Sequence, residues 1–381
     1  MTLILLGSQP RLVLPLLQAA RSLRNAPCIL LGSRATRHLR WSLACDRYVR
    51  ADFDDDDDAA ITRQFQDLAR DHPGAIVVPC DCPAIRVLQR LGDRLPLPTT
   101  PLPSAHWLDV LDDKWRFHQL CESSGLPVPA TVHAAGKHAL RFDELVAALG
   151  LPFIVKPTSC SGSLGLILVR DRQDFELRIL RDPGYSHGAL VAQHYIDGWD
   201  IDVDLLAVDG RLRAVTTHRV SGCWMEFFRH PVLEGLAESL CRATAYSGPM
   251  NLDARVERAT GRVFLIESNP RFWASLSAPL ACGLNFLDEA LHASDEPPAQ
   301  ARRPDVARCN RRHPLLRPRE WWRIAADPGA QGQLLRTTLF DPYAFATLAA
   351  ELPAMASRAA RHGGQLLAGK VRSALLRGSP T

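Results

Sequence analysis

Residues 251–273 read NLDARVERATGRVFLIESNPRFW. Leu252, Ala254 and Val256 alternate with Asn251, Asp253 and Arg255, the period of two expected of a strand with one buried face. Val263 to Ile266 is a second apolar run, and Ala259-Thr260-Gly261 supplies the turn between them. With the hairpin turning about Thr260, Asp253 falls opposite Glu267 on one face, their Cβ atoms about 5 Å apart. Asn269 follows by two residues and faces the same way. Two carboxylates and an amide oxygen make a hard, oxygen-rich set suited to magnesium. Arg271, next in the alternation, brings a planar donor fork to a phosphate or carboxylate. Taken alone, the segment reads equally well as an ordinary hairpin with a solvated face, so the rest of the chain decides.

The chain has 381 residues, enough for two or three domains with substantial cores. No run approaches the roughly 18 apolar residues of a membrane span. Met1 to Leu6 is too short for a secretory core and reads as a first strand, so a cytoplasmic location is expected. The ten cysteines are dispersed, and Cys80-Asp81-Cys82 reads as two small buried hydrophobes in a reducing compartment. None of the thirteen histidines falls in a zinc-ligand spacing. Only four lysines stand against 41 arginines, namely Lys114, Lys137, Lys156 and Lys370. A lysine kept in such a background points to work that needs a compact point charge. Charge is uneven: residues 301–381 hold 14 basic and 5 acidic residues, the first 300 hold 31 and 36.

The first hundred residues alternate strand and helix, which points to a parallel sheet with covering helices. Neither a GxGxxG loop nor a GxxxxGK loop followed by Ser or Thr is present. The acidic run Asp54 to Asp58 reads as a solvated helix start. LPLPTTPLP at 95–103 marks a domain boundary, and a helix over about 104–123 carries Lys114. FIVKP at 153–157 is a short strand ending on Lys156 and a proline. Thr158 to Gly165 follows as a small-residue loop, including Ser161, Gly162, Ser163 and Gly165, able to fold over phosphates or to act as a plain hairpin loop. Leu190 to Ile196 is a strand, Asp200 to Leu205 alternates polar and apolar residues, and Asp209-Gly210 is a hairpin turn. Leu233 to Ala245 reads as a helix, and from Pro297 the chain reads as loosely packed until a helix near 342–348.

Taken together, these segments fall in an order that resembles the ATP-grasp superfamily, in particular its carboxylate–amine ligases and carbamoyl-phosphate-synthetase-like members. Asp113-Lys114 ahead of Gly125-Leu126-Pro127-Val128-Pro129 is similar to the family's first nucleotide lysine and the entry to its lid. FIVKP and its Ser/Gly loop are similar to the second lysine and the phosphate loop. Gln193-His194-Tyr195-Ile196 stands where the family reads adenine through backbone groups, and Asp200 where relatives hold ribose hydroxyls. Asp253, Glu267 and Asn269 match the metal ligands, and Arg271 the arginine of the E-x-N-P-R signature. Arg219 stands where relatives place a substrate-side basic residue. Gln193 and Asp200 replace the more usual glutamates, and Asp253 a position where Glu or Gln is common.

The resemblance covers roughly residues 104–295 and implies an α/β protein, α+β in its catalytic part. A parallel-sheet pre-ATP-grasp domain (1–103) would precede a two-lobed ATP-grasp domain (104–295, lid about 126–190) and a basic extension (296–381). It implies ATP and two magnesium ions, with manganese as the alternative, and small-molecule carboxylate and amine substrates joined through an acyl phosphate. A catalytically inactive MgATP-binding regulator of the same fold is the competing reading. No nucleic-acid partner is expected. The basic tail is expected to pack on its own domain or on a second subunit of a homodimer, with an acidic membrane surface as the other candidate.

Overall fold

The computed structural model describes residues 1–23, 26–53, 58–159, 162, 164–311, 318–326, 338–343, 345–346 and 349. Apolar runs set the first sheet. Strands β1 (Leu3–Gly7), β2 (Cys28–Gly32), β3 (Arg47–Arg50) and β4 (Ile76–Pro79) pair in parallel in the order β3-β2-β1-β4. β1 and β2 are buried at every residue, as a sheet covered on both faces requires. Leu3 and Leu5 pack with helix α1 (Pro10–Ser22). Ile4 and Leu6 pack with α2 (Asp58–Asp71) and α3 (Cys82–Leu91). Asp81 caps α3 by accepting from Ala84 N at 3.0 Å, and both flanking cysteines are buried. The proline-rich boundary is not a free linker: Val77 N donates to Pro98 O and Thr100 N to Val77 O, laying 98–100 beside β4.

The helix expected over 104–123 is two helices, α4 (Ala105–Asp112) and α5 (Lys114–Ser123). Asp113 breaks it: its backbone is extended and its carboxylate accepts from Trp115 N and Arg116 N. The new cap puts Lys114 in the first turn of α5. A small antiparallel sheet follows, in the order β5-β8-β6-β7. Its strands are β5 (Thr131–Ala134), β6 (Phe153–Pro157), β7 (Ile167–Val169) and β8 (Leu190–His194), packed against α6 (Phe142–Leu149) and α7 (Arg172–Phe175).

The third sheet holds β9 (Gly198–Val208), β10 (Arg211–Ser221), β11 (Trp224–Phe228), β12 (Gly248–Glu257), β13 (Val263–Asn269) and β14 (Arg308–Asn310), in the order β13-β12-β9-β10-β11-β14. One face, including Ile201, Val203, Leu205, Leu252 and Leu265, packs on α5 and on α8 (Pro231–Ala243). Residues 302–310 add to this sheet through Arg302 beside Ala214 and β14 beside β11. The chain is therefore not loose from residue 297 as expected.

Phe272, Trp273 and Leu276, with α9 (Ser277–Ala281) and α10 (Phe286–Leu291), close against α1 in one shared core. Farther on, buried Asp341 accepts from Ser42 Oγ at 2.5 Å, and Tyr343 stacks on His38. The expectations for residues 351–381, and those for Asp54 to Asp57, lie outside the described residues. Asp58 begins α2 and pairs with Arg90 and Arg94.

Candidate active site

The β12–β13 hairpin pairs Asp253 with Glu267 and Asn251 with Asn269. Its register is not the simple one. From the turn outward, Val256 pairs with Val263 and Ala254 with Leu265, and the ladder then shifts by one residue between Asp253 and Ala254. Without that bulge Ile266 would meet Asp253, and Glu267 would lie beside core residue Leu252. The extra residue re-aims the strand, the usual role of a bulge beside a site, and Ile266 and Glu267 both line one cavity.

Register across the sheet extends the row. Asp253 pairs with Asp202 of β9, and Asp202 pairs with His218 of β10. Asp202, Asp253 and Glu267 therefore form a file of carboxylates across three strands, with His218 at its end. The next row is Asp204, Asn251 and Asn269. Asn251 donates to Asp204 at 3.0 Å, Asn269 to Asn251 at 3.0 Å, and Arg271 to Asn269 Oδ1 at 2.9 Å. His218 lies 3.3 Å from both Asp202 and Asp204. Burial opposes its charge, yet the two carboxylates, Asp204 first, outweigh it and raise the imidazole to about 10. Asp202, Asp204, Asn251 and His218 join the site beyond the residues expected from sequence. The alternation of residues 200–205 was visible, but not its register against 251–257.

Both expected lysines face this row. Lys114 Nζ lies 3.3 Å and Lys156 Nζ 3.8 Å from Glu267 Oε2. Burial lowers Lys156 to about 8, with Lys114 acting in the same direction and Glu267 against it. Asp253 keeps an edge on the cavity, but burial of its carboxylate, then Asp202 and Glu267, push it well above the ordinary range. A divalent cation would relieve that repulsion, and hard oxygen donors suit it. Among the described residues no three His, Cys, Asp or Glu side chains form a ready-made cage. Asp253 and Glu267 offer the cavity hard oxygens that such a cation could take, whereas Asn269, outside the lining, accepts from Arg271 through Oδ1.

The cavity measures about 440 Å³ and lies between the small sheet and the large one. Gln193, His194, Tyr195, Ile196 and Asp200 line it, as do Lys114, Lys156, Asp253 and Glu267. Apolar walls not expected from sequence come from Ile154, Leu164, Leu166, Leu168 and Ile266. Arg255, also unforeseen, holds the edge: it donates to Ile196 O and Gly198 O, pairs with Asp200 at 2.6 Å and lies over the Tyr195 ring. Gln193 donates to Thr131 Oγ1, and His194 Nδ1 lies 2.6 Å from Leu149 O.

Of the loop, Gly162 and Gly165 are described, whereas Ser161 and Ser163 lie outside the described residues. Both glycines have positive φ, and a Cβ at Gly165 would lie 2.6 Å from His187 and 2.8 Å from Pro157. Tyr185 Oη donates to Gly165 O at 2.9 Å. Arg219 does not line the cavity. It sits exposed on the β10–β11 hairpin, 2.8 Å from Glu226.

Residues 186–312 match a family model described as "ATP-grasp in the biosynthetic pathway with Ter operon". The arginine-specific carbamoyl phosphate synthase large chain of Bacillus subtilis is 27% identical over 192 residues, 45% of this chain and 18% of that protein. The D-alanine–D-alanine ligase of Coprothermobacter proteolyticus is 24% identical over 203 residues, 48% of this chain and 64% of that enzyme. The chain thus spans less than two thirds of these relatives. Among solved structures, the L-amino acid ligase of Bacillus licheniformis superposes with a TM-score of 0.58 at 17% identity, covering 78% of this chain and 74% of that one. The N5-carboxyaminoimidazole ribonucleotide synthetase of Thermus thermophilus gives 0.57 at 20% identity, covering 80% and 81%. A third of the chain thus matches an ATP-grasp family model, and the chain is similar in sequence to these ligases and synthases and in fold to these solved structures.

Proposed function

We propose that the protein is an ATP-dependent carboxylate–amine ligase that activates a small-molecule carboxylate as an acyl phosphate and passes the acyl group to an amine. The carrying observation is the file Asp202-Asp253-Glu267 facing Lys114 and Lys156 across a cavity of nucleotide size. D-alanine–D-alanine ligase and L-amino acid ligase among the similar proteins support ligation, and the biosynthetic description of the matched family agrees with it.

In this reading the adenine lies between Ile154, Leu168 and Ile266, with the 193–196 edge beside it and Asp200 toward the ribose. Lys114 and Lys156 hold the phosphates, and the loop containing Ser161, Gly162, Ser163 and Gly165 covers them. Asp253, Glu267 and Asn269 would hold magnesium, whose charge would offset that of two approaching anions. The carboxylate oxygen attacks the γ-phosphorus and ADP leaves. The amine then attacks the acyl carbon, and phosphate leaves as the amide forms. Arg271 stabilises the oxyanion as charge develops. Arg219, exposed on the β10–β11 hairpin and outside the cavity lining, takes no step in this reading.

The test is ADP release by the purified protein against a panel of carboxylates and amines. Glu267→Gln should cut the best rate at least about a hundredfold, in line with losing a charge contact to the transferring group. Unchanged substrate-dependent release would refute the assignment, and tight MgATP binding without turnover on any pair would favour the regulatory alternative.

A further inference from the structure

Beside the file of carboxylates, on the same face of the large sheet, runs the row Asp204, Asn251 and Asn269, with His218 at one end and Arg271 at the other. None of these five lines the cavity. Asp204 is fully buried and His218 nearly so. Taking two charges out of water is costly, so such a pair does little for stability by itself and calls for another role. His218 Nε2 lies 3.3 Å from Asp202 Oδ2, and its Nδ1 lies 3.3 Å from Asp204 Oδ2. Only the imidazolium, with a proton on each nitrogen, serves both carboxylates at once. Burial pushes the Asp204 carboxyl up, and His218 opposes that shift ahead of any other group. The histidine thus favours the ionised Asp204, which can only accept.

From that acceptor the hydrogen bonds run one way. Asn251 turns its Nδ2 to Asp204 Oδ1 at 3.0 Å, which leaves Asn251 Oδ1 to accept from Asn269 Nδ2 at 3.0 Å. Asn269 Oδ1 is then left for Arg271 Nη2, at 2.9 Å. Reversing Asn251 would set its oxygen against the carboxylate and its N–H groups against those of Asn269. One charge therefore fixes two amides in series, because a carboxylate accepts and never donates. Arg271 Nη1 is anchored as well, donating to Phe272 O at 2.9 Å. Held from both terminal nitrogens, the buried guanidinium keeps its remaining donors in a plane set by the protein, as recognition of an oxyanion by a fork requires.

We propose that His218 and Asp204 are positioning residues of the active centre: their buried ion pair gives the Asn251–Asn269 chain its direction and so orients the Arg271 fork toward the oxyanion. The proposal rests on the ligase reading above and adds to it a charged anchor, two strands away, for the residue that meets the developing charge.

Calorimetry on the full chain tests it, with MgADP titrated first and orthophosphate then titrated into the MgADP complex as the probe of the fork. Asp204→Asn keeps the size of the side chain but can donate as well as accept, so both amides lose their direction. For this variant, MgADP affinity should stay within about twofold of native and phosphate affinity should fall at least about tenfold, the usual scale for outer partners of a site. Combining Asp204→Asn with Asn251→Asp moves the carboxylate one place along the row, where it still accepts from Asn269. Phosphate affinity should then recover at least about threefold over Asp204→Asn alone. A merely structural role gives the opposite result, since the exchange takes a carboxylate away from His218. Native phosphate affinity in Asp204→Asn overturns the proposal, as does an exchange that recovers nothing, or a native MgADP complex that takes up no phosphate. All three leave the ligase reading standing. Nitrogen-15 spectra of the native protein decide the matter if the variants do not fold: His218 should carry a proton on both ring nitrogens at about pH 7.5, where an unperturbed histidine is mostly neutral, and a bare ring nitrogen overturns the proposal. A native protein that fails to bind MgADP overturns the ligase reading, and the inference with it.

Discussion

Lys156 holds its charge against its surroundings. Burial and the neighbouring Lys114 lower it to about 8, so the ligand-free side chain is largely neutral above that pH. Nucleotide phosphates favour the ammonium form, so binding at a pH above that value must take up a proton. MgATP affinity should therefore fall as pH rises through about 8, and calorimetry in two buffers of different ionisation enthalpy should show the uptake directly. Lys156→Met should remove both effects; a pH-independent affinity in the native protein would contradict the assignment. The same shift bears on stability. The unfolded lysine holds its proton up to its ordinary value of about 10.4, so between about 8 and there the unfolded state binds more protons, and this residue makes the free protein more stable as pH rises. Lys114 and Lys156 were legible in the sequence because lysine is scarce there. His218 was not. A histidine in a strand carries no signal of its own, and only register shows it between Asp202 and Asp204.

At the scale of elements, the β12–β13 hairpin shows how a right answer can depend on an unseen feature. Asp253 does meet Glu267, but through a bulge that period-two reasoning cannot contain, since alternation assumes no extra residue. The single helix expected across Asp113 failed for a related reason: an aspartate that caps one helix reads, in a periodic pattern, like any exposed residue of another. The start of β9 is equally demanding. A Cβ on Gly198 would run into the Val256 carbonyl oxygen, a backbone atom that cannot step aside. Gly198→Ala should thus cost about 2 kcal/mol or more and weaken nucleotide binding, because Arg255 anchors the 196–200 segment through Gly198 O. Gly235→Ala is the control: nothing lies within 4 Å of its Cβ, and it sits inside α8, where alanine is the better helix former. Urea unfolding of the two variants should separate them, and equal midpoints would show that the hairpin yields at Val256.

For the whole molecule, the fold class was legible because each sheet announces itself differently. Continuous apolar runs mark the parallel sheet, and alternation marks the large antiparallel one. The path of the chain after residue 297 was not legible, because Pro/Arg-rich sequence has no period. What orders it is tertiary: a strand of three residues completing a sheet, and one buried carboxylate. Asp341 accepts from Ser42 Oγ and from Tyr343 N, tying a late segment of the chain to the short helical turn ahead of β3 in the N-terminal domain. None of the residues in that tie lines the cavity. Asp341→Ala would leave Ser42 without its acceptor in a buried site, a loss of about 1–3 kcal/mol. Limited proteolysis should then cut the chain beyond residue 311 sooner than in the native protein, with MgADP affinity held within about twofold. Unaltered cleavage and melting would mean that Tyr343, which also packs on this core and stacks on His38, suffices to hold the segment in place.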